Sequence, residues 1–287
     1  MRRLVALLCA CLALAGCSQA QPATVAQAGP TSTTVAPTTS TTPAPTTTTT
    51  LTPQATVAST LVAAETAIRN PATPAAQLPA LGQSQQQAYR TLVAHPEWDD
   101  EVLALVPERL RATVEANVSA GRELTALTPP PPPDKPLPKW TIVAPDPAEE
   151  LLALYKAAGA AAGGVEWEYL AAIHLVETRM GRIKGDSTAG AQGPMQFIAS
   201  TWAVYGRGGE ITSNHDAIPA AARFLKAHGA PDDMARALRA YNNSARYVRA
   251  VTAYAKQMQA DERAYLGYHA WQVYYGTRLL PEGTVIS

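Results

Sequence analysis

The chain has 287 residues, of which 47% are hydrophobic, enough to bury a core. Its 23 lysines and arginines balance 23 aspartates and glutamates. With no net field and no long basic stripe, nucleic acid is excluded as the expected partner.

Residues 1–17 read MRRLVALLCACLALAGC. Arg2 and Arg3 form a positive start, and the apolar run that follows is too short to span a bilayer comfortably, so the segment is predicted to be an export signal. Cys9, Cys11 and Cys17 are the chain's three cysteines and all lie here, which leaves no disulfide for the mature chain. Leu14-Ala15-Gly16-Cys17 resembles the lipobox of bacterial lipoproteins, which implies lipidation of Cys17 and anchoring to the outer face of the cytoplasmic membrane, in the cell envelope. The alternative is an ordinary secretory signal.

Residues 18–56 are rich in Thr, Pro and Ala and offer few large side chains to bury, so they are predicted to be a disordered tether. If mostly extended, it reaches on the order of 100 Å. A bare spacer is the default reading and O-glycosylated threonines the alternative. Residues 57–128 are predicted to form a small helical module, with helices over 57–69 and 83–94 and a pair across 97–127 around Pro107. Tyr89, Trp98, Leu103 and Leu110 are its expected packing residues. The run PPPPPDKPLP falls in 129–145, predicted to be a stiff linker and the domain boundary.

Residues 146–287 read as an all-α domain. Asp146, Pro147 and Glu149 have the spacing of a capping box ahead of LLALYK. Further helices are predicted over 166–180, 199–205, 217–228, 232–242, 244–258 and 262–275, with no alternating strand pattern between them.

On the 166–180 helix, Leu170, Ile173 and His174 fall within about 60° of Glu177, so the acid continues an apolar stripe. Gly181 is a stop signal that puts Glu177 in the last turn, near the negative end of the helix dipole. Burial and dipole both disfavour the charged form and raise the pKa, which suits a proton donor. The alternative is a surface ion pair with Arg179, Arg182 or Lys184. A metal held by His174 and Glu177 is disfavoured, because no other ligand spacing supports it, and no cofactor is expected. The segment AGAQGPMQF (189–197) is a glycine-rich loop suited to close approach by a ligand, with Gln196 able to donate and accept hydrogen bonds. AYNNSARYV (240–248) places Tyr241 and Asn242 at a helix junction.

Glu177-Thr178, Met180-Gly181, Ser187, then Gly190 to Ile198 with Ser200-Thr201-Trp202, and Ala240-Tyr241-Asn242, resemble in order the motifs of lytic murein transglycosylases. The GPMQF-x-x-STW stretch looks most like the membrane-bound type B branch and its actinobacterial relatives. This resemblance, over roughly 146–270, implies a lysozyme-like helical fold and peptidoglycan glycan strands as substrate. It implies Glu177 as the single acid and base, Ser187 and Gln196 as sugar contacts, Met195 as cleft lining, and Tyr241 and Asn242 as positioning groups. No EF-hand-like loop is present, so the calcium site of some type B members is not expected.

Ordinary glycosidases use two carboxylates. Glu166 lies about 16 Å from Glu177 by helical rise, which leaves Asp186 as the only nearby second candidate. The resemblance instead implies assistance by the substrate's N-acetyl group and a 1,6-anhydro-muramic acid product. The alternatives are a hydrolytic muramidase cutting the same β-1,4 bond, and a non-catalytic peptidoglycan-binding lipoprotein. Protein partners are not indicated by the sequence.

Overall fold

The structure is a computed structural model that describes residues 51–132 and 135–286. The predicted signal, Cys17 and the tether up to residue 50 lie outside the described residues. The described residues are all-α, 62% helix and 6% strand.

Helix α1 (Pro53–Arg69) begins inside the stretch read as tether, which is therefore shorter than its composition suggests. Thr52 Oγ1 accepts from the Ala55 N–H at 3.1 Å, and Pro53 occupies the first turn, where its missing N–H costs nothing. Helix α2 (Leu78–Ala94) likewise starts earlier than its periodicity indicates. Helices α3 (Asp99–Leu105) and α4 (Glu108–Leu127) part at Val106-Pro107 as expected.

Helix α5 (Ala148–Ala161) has no side-chain cap, so the capping-box expectation is corrected. Asp146 is engaged elsewhere: its carboxylate accepts from Asn214 Nδ2 at 2.8 Å and its carbonyl from His269 Nε2 at 2.9 Å. The rest are α6 (Trp167–Thr178), α7 (Ala199–Tyr205), α8 (Asn214–Ala227), α9 (Met234–Tyr241), α10 (Ala245–Ala260) and α11 (Ala264–His269).

Four short strands interrupt the helices, against the strand-free expectation. β1 (Thr141–Ile142), at the exit of the proline run, pairs antiparallel with β2 (Ile183–Lys184), and Thr141 also bridges to Val285. The helix predicted over 262–275 stops at His269. Beyond it, β3 (Val273–Tyr275) pairs antiparallel with β4 (Arg278–Leu280) across a tight turn at Gly276, whose φ of 61° favours glycine.

The proline run is a break in sequence but not in packing. Leu61, Leu92, Val114 and Leu124 from α1, α2 and α4 belong to the same buried cluster as Leu170, Tyr254, Tyr268 and Trp271. Helix α4 lies against α10 and α2 against α11. Polar groups register the two parts: Trp271 Nε1 donates to Gln85 Oε1 at 2.9 Å, Gln272 N to Gln86 Oε1 at 2.8 Å, and the Tyr268 hydroxyl to Asn117 Oδ1 at 2.7 Å. Beneath them Glu65, fully buried, takes an ion pair from Arg69 and hydrogen bonds from Tyr89 and Gln85. Of the expected packing residues, Tyr89 and Leu110 are buried, while Trp98 and Leu103 are only partly covered.

Residues 129–287 alone, stripped of α1 to α4, should therefore lose cooperative folding, because the apolar faces of α10 and α11 would meet water. Circular dichroism against temperature checks this: the full chain should melt sharply and the fragment broadly. A fragment that melts like the full chain would show an independent domain.

Candidate active site

Helix α6 is not amphipathic: every residue from Tyr169 to Thr178 is buried, so the expected single apolar stripe is in fact a helix enclosed on all sides. It packs against α5, α8, α10 and α11. The helix ends in three successive left-handed residues, Arg179 (φ 55°), Met180 (φ 59°) and Gly181 (φ 80°). Two of them carry side chains that disfavour this conformation, a strain of about 1–3 kcal/mol each that surrounding contacts must hold. The Met180 N–H bonds the His174 carbonyl at 3.1 Å, and the Gly181 N–H bonds Thr178 Oγ1 at 3.1 Å.

Glu177 sits in the last turn, 7% exposed. The Tyr247 hydroxyl donates to its Oε1 at 2.8 Å. Burial pushes the carboxyl up to about 8, while the Tyr247 bond, which favours the charged form, acts in the opposite direction. The ion-pair alternative is not what forms: Arg182 pairs with Glu282 and donates to the His269 carbonyl, and Arg179 donates to the Leu175 carbonyl at 2.8 Å. His174, one turn earlier, is hydrogen-bonded to the Tyr155 hydroxyl at 2.6 Å, and burial lowers its pKa to about 3, so it is neutral.

The loop 185–197 is joined to this helix end by a Thr178 Oγ1 bond to the Pro194 carbonyl at 2.7 Å. Gly193, at φ 71°, lies so close to Ile211 that a Cβ would stand 1.8 Å from its carbonyl oxygen, which restricts the position to glycine. Gln196, also left-handed at φ 49°, donates to the Gly193 carbonyl at 2.9 Å, and its Oε1 is enclosed without a protein partner. Ser187 braces the loop, its Oγ accepting from Ala191 N at 2.8 Å and Ala189 N at 3.3 Å. Met195 is fully enclosed, which corrects the expectation that it lines the cleft: it floors the loop from inside. Asp186 is exposed and accepts from Gln192 Nε2 at 3.2 Å.

The third motif closes on the same place. The Tyr241 hydroxyl donates to the Met195 carbonyl at 2.5 Å, and its ring lies parallel to that of Tyr247 with centroids 6.5 Å apart. Burial, then the nearby charge of Glu177, raises the Tyr241 hydroxyl pKa. Asn242 is buried at the end of α9, its Oδ1 without a protein partner. Thr178, Met195 and Tyr241 thus bring the three segments singled out in the sequence together.

Tyr247 was missing from the sequence-based set. It shares the buried face of α10 with Ala250, Val251 and Tyr254, a spacing that reads as core. The available signal was its hydroxyl, since a tyrosine facing a core needs a hydrogen-bond partner there.

Compared with known proteins, the chain matches no family model, no curated sequence and no solved structure.

Glu177 binds a proton in the folded chain between about 4.5 and about 8, where the unfolded chain has released it, so folding stability falls as pH rises through this window. Glu177→Gln removes that dependence. Its stability relative to the parent should grow across the window by an amount on the order of a few kcal/mol and then level off, as read from urea unfolding. A gap that stays constant with pH would contradict the raised pKa. Tyr247→Phe, which deletes the bond favouring the carboxylate, should move the levelling-off point to higher pH in the same experiment; an unchanged or lower point would remove Tyr247 from control of the acid.

Proposed function

We propose that the chain is a peptidoglycan lytic transglycosylase, cleaving the β-1,4 bond between N-acetylmuramic acid and N-acetylglucosamine. The observation that carries this reading is Glu177: a buried carboxyl raised to about 8, held by Tyr247, beside a glycine-rich loop. The ordered motifs resembling that family supply the substrate class.

A carboxyl protonated at neutral pH donates its proton to the glycosidic oxygen as the bond to C1 breaks. The carbonyl oxygen of the substrate's own N-acetyl group bonds C1 and takes up the developing positive charge. Glu177, now a carboxylate stabilised by the Tyr247 hydroxyl, accepts the proton of the muramic acid C6 hydroxyl. That oxygen attacks C1, displaces the N-acetyl oxygen and closes the 1,6-anhydro ring. Glu177 ends protonated as it began, the leaving sugar keeps the first proton as its hydroxyl, and no water is consumed.

Asp186, exposed and engaged with Gln192, has neither the burial nor the setting of a nucleophile, which favours the one-carboxylate route over the two-carboxylate pattern. Ser187 and Gln196 shape the sugar site, Tyr241 and Asn242 support it, and Met195 acts through its backbone. Export and lipid anchoring at Cys17 belong to the same proposal, since the substrate lies outside the cytoplasm.

Mass spectrometry of peptidoglycan digested by the full chain tests this. Products lighter by one water than reducing-end muropeptides are expected; reducing ends would indicate a muramidase, and binding without products a scaffold. Glu177→Gln should fold, bind glycan and lose about 10²–10⁴-fold in rate, as deletion of a general acid does. The parent's rate should fall as pH rises through about 8, because the acid must begin protonated.

A further inference from the structure

Trp140 stands where the chain leaves the proline run, and it is 3% exposed. It belongs to a small second core with Ile142, Ile183, Val273 and Leu280, and it meets the Tyr275 ring edge-on at 6.0 Å. The backbone on either side of it is fixed. Thr141 pairs with Lys184, Val143 N donates to the Arg182 carbonyl at 2.9 Å, and Ile286 N donates to the Trp140 carbonyl at 2.8 Å.

The ring presses on one point of the candidate site. A Cβ on Gly185 would stand 2.6 Å from Trp140 Cδ1 and 2.8 Å from the Lys139 carbonyl oxygen, so the two segments touch where only glycine fits. Gly185 opens the loop that carries Ser187 and Gln196, and its carbonyl lies 3.5 Å from Gln196 Nε2. Among the described residues two buried polar atoms of these side chains find no partner: the indole Nε1 of Trp140, 3.4 Å from the same Cβ position, and Gln196 Oε1. Leaving such groups unpaired costs about 1–3 kcal/mol each, so the packing that holds them there must outweigh that penalty.

We propose that Trp140 is a positioning residue for substrate binding: by fixing Gly185 it sets the loop 185–197 and thereby Ser187 and Gln196. The segment after the proline run is then one wall of the site rather than the end of a spacer. This rests on reading 185–197 as the substrate loop. Trp140 acts on where the sugar sits and leaves the proton chemistry of Glu177 to α6 and α10.

The test has two readouts on the full chain carrying Trp140→Ala, with Trp140→Phe as the conservative variant. Amide hydrogen exchange should show lost protection at Ala191, Gln192 and Phe197 with α10 unchanged, and Trp140→Phe should restore it. Glycan cleavage should show KM raised roughly tenfold with the pH midpoint unmoved, as expected for a misplaced binding loop. Loop protection equal to the parent's in a folded Trp140→Ala protein would overturn the proposal, as would a shifted pH midpoint at unchanged KM. If Trp140→Ala loses protection throughout, Gly185→Ala is measured in its place, since its methyl group drives the loop off the ring; parental protection there would overturn the proposal equally. A parent protein that leaves glycan uncut would refute the reaction, while loop protection still decides the role of Trp140.

Discussion

Placing a carboxyl inside a helix with no wet face is the constraint on which the rest of the structure turns. Glu177 is surrounded by α6's own apolar residues and by the helices packed on it, and charge there is costly. Among the described residues no cation pairs with the acid, and it is not exposed. The protein supplies one hydroxyl, from Tyr247, which stabilises the carboxylate without forcing it to form. A group in that state holds a proton at neutral pH and can receive it again.

That hydroxyl depends on distant parts of the chain. Tyr247 lies on α10, which packs on α6 on one side and on α4 on the other. The amino-terminal helices therefore buttress the helix that reaches the acid, although none of the candidate-site residues lies on them. Gln85, Gln86 and Asn117 fix the register of that contact by bonding Trp271, Gln272 and Tyr268. The loop is tied down by Thr178 and Tyr241, which bond the backbone at Pro194 and Met195. The left-handed turns at Arg179, Met180 and Gln196 are held between these ties, so local strain and long-range packing meet at the same residues.

Much of this was legible in the sequence, where local chemistry decides. The 199–205 helix has the bounds its pattern predicts, Gly181 follows the end of α6, and Glu177 was marked by an acid continuing an apolar run. Features settled by tertiary contact were not legible. Thr52 and Pro53 start a helix within a stretch whose composition suggests a tether. Asp146 had the spacing of a cap and instead bonds Asn214, far along the chain. Val273 to Tyr275 continue a helical periodicity, yet Gly276 turns them into a hairpin. Met195, expected to line the cleft, is enclosed, and Tyr247, for which the sequence suggested no role, bonds the acid. The shared core across the proline run involves residue pairs too far apart for any window of periodicity to register.

The most direct measurement is a carbon-13 NMR titration of glutamate-labelled full chain, with the Glu177 carboxyl assigned by its loss in the Glu177→Gln spectrum. A midpoint near 8, far above the ordinary value of 4.5, is the result required if Glu177 is the proton donor of the site. A midpoint close to 4.5 would mean a carboxylate already ionised at neutral pH, and would contradict the central claim.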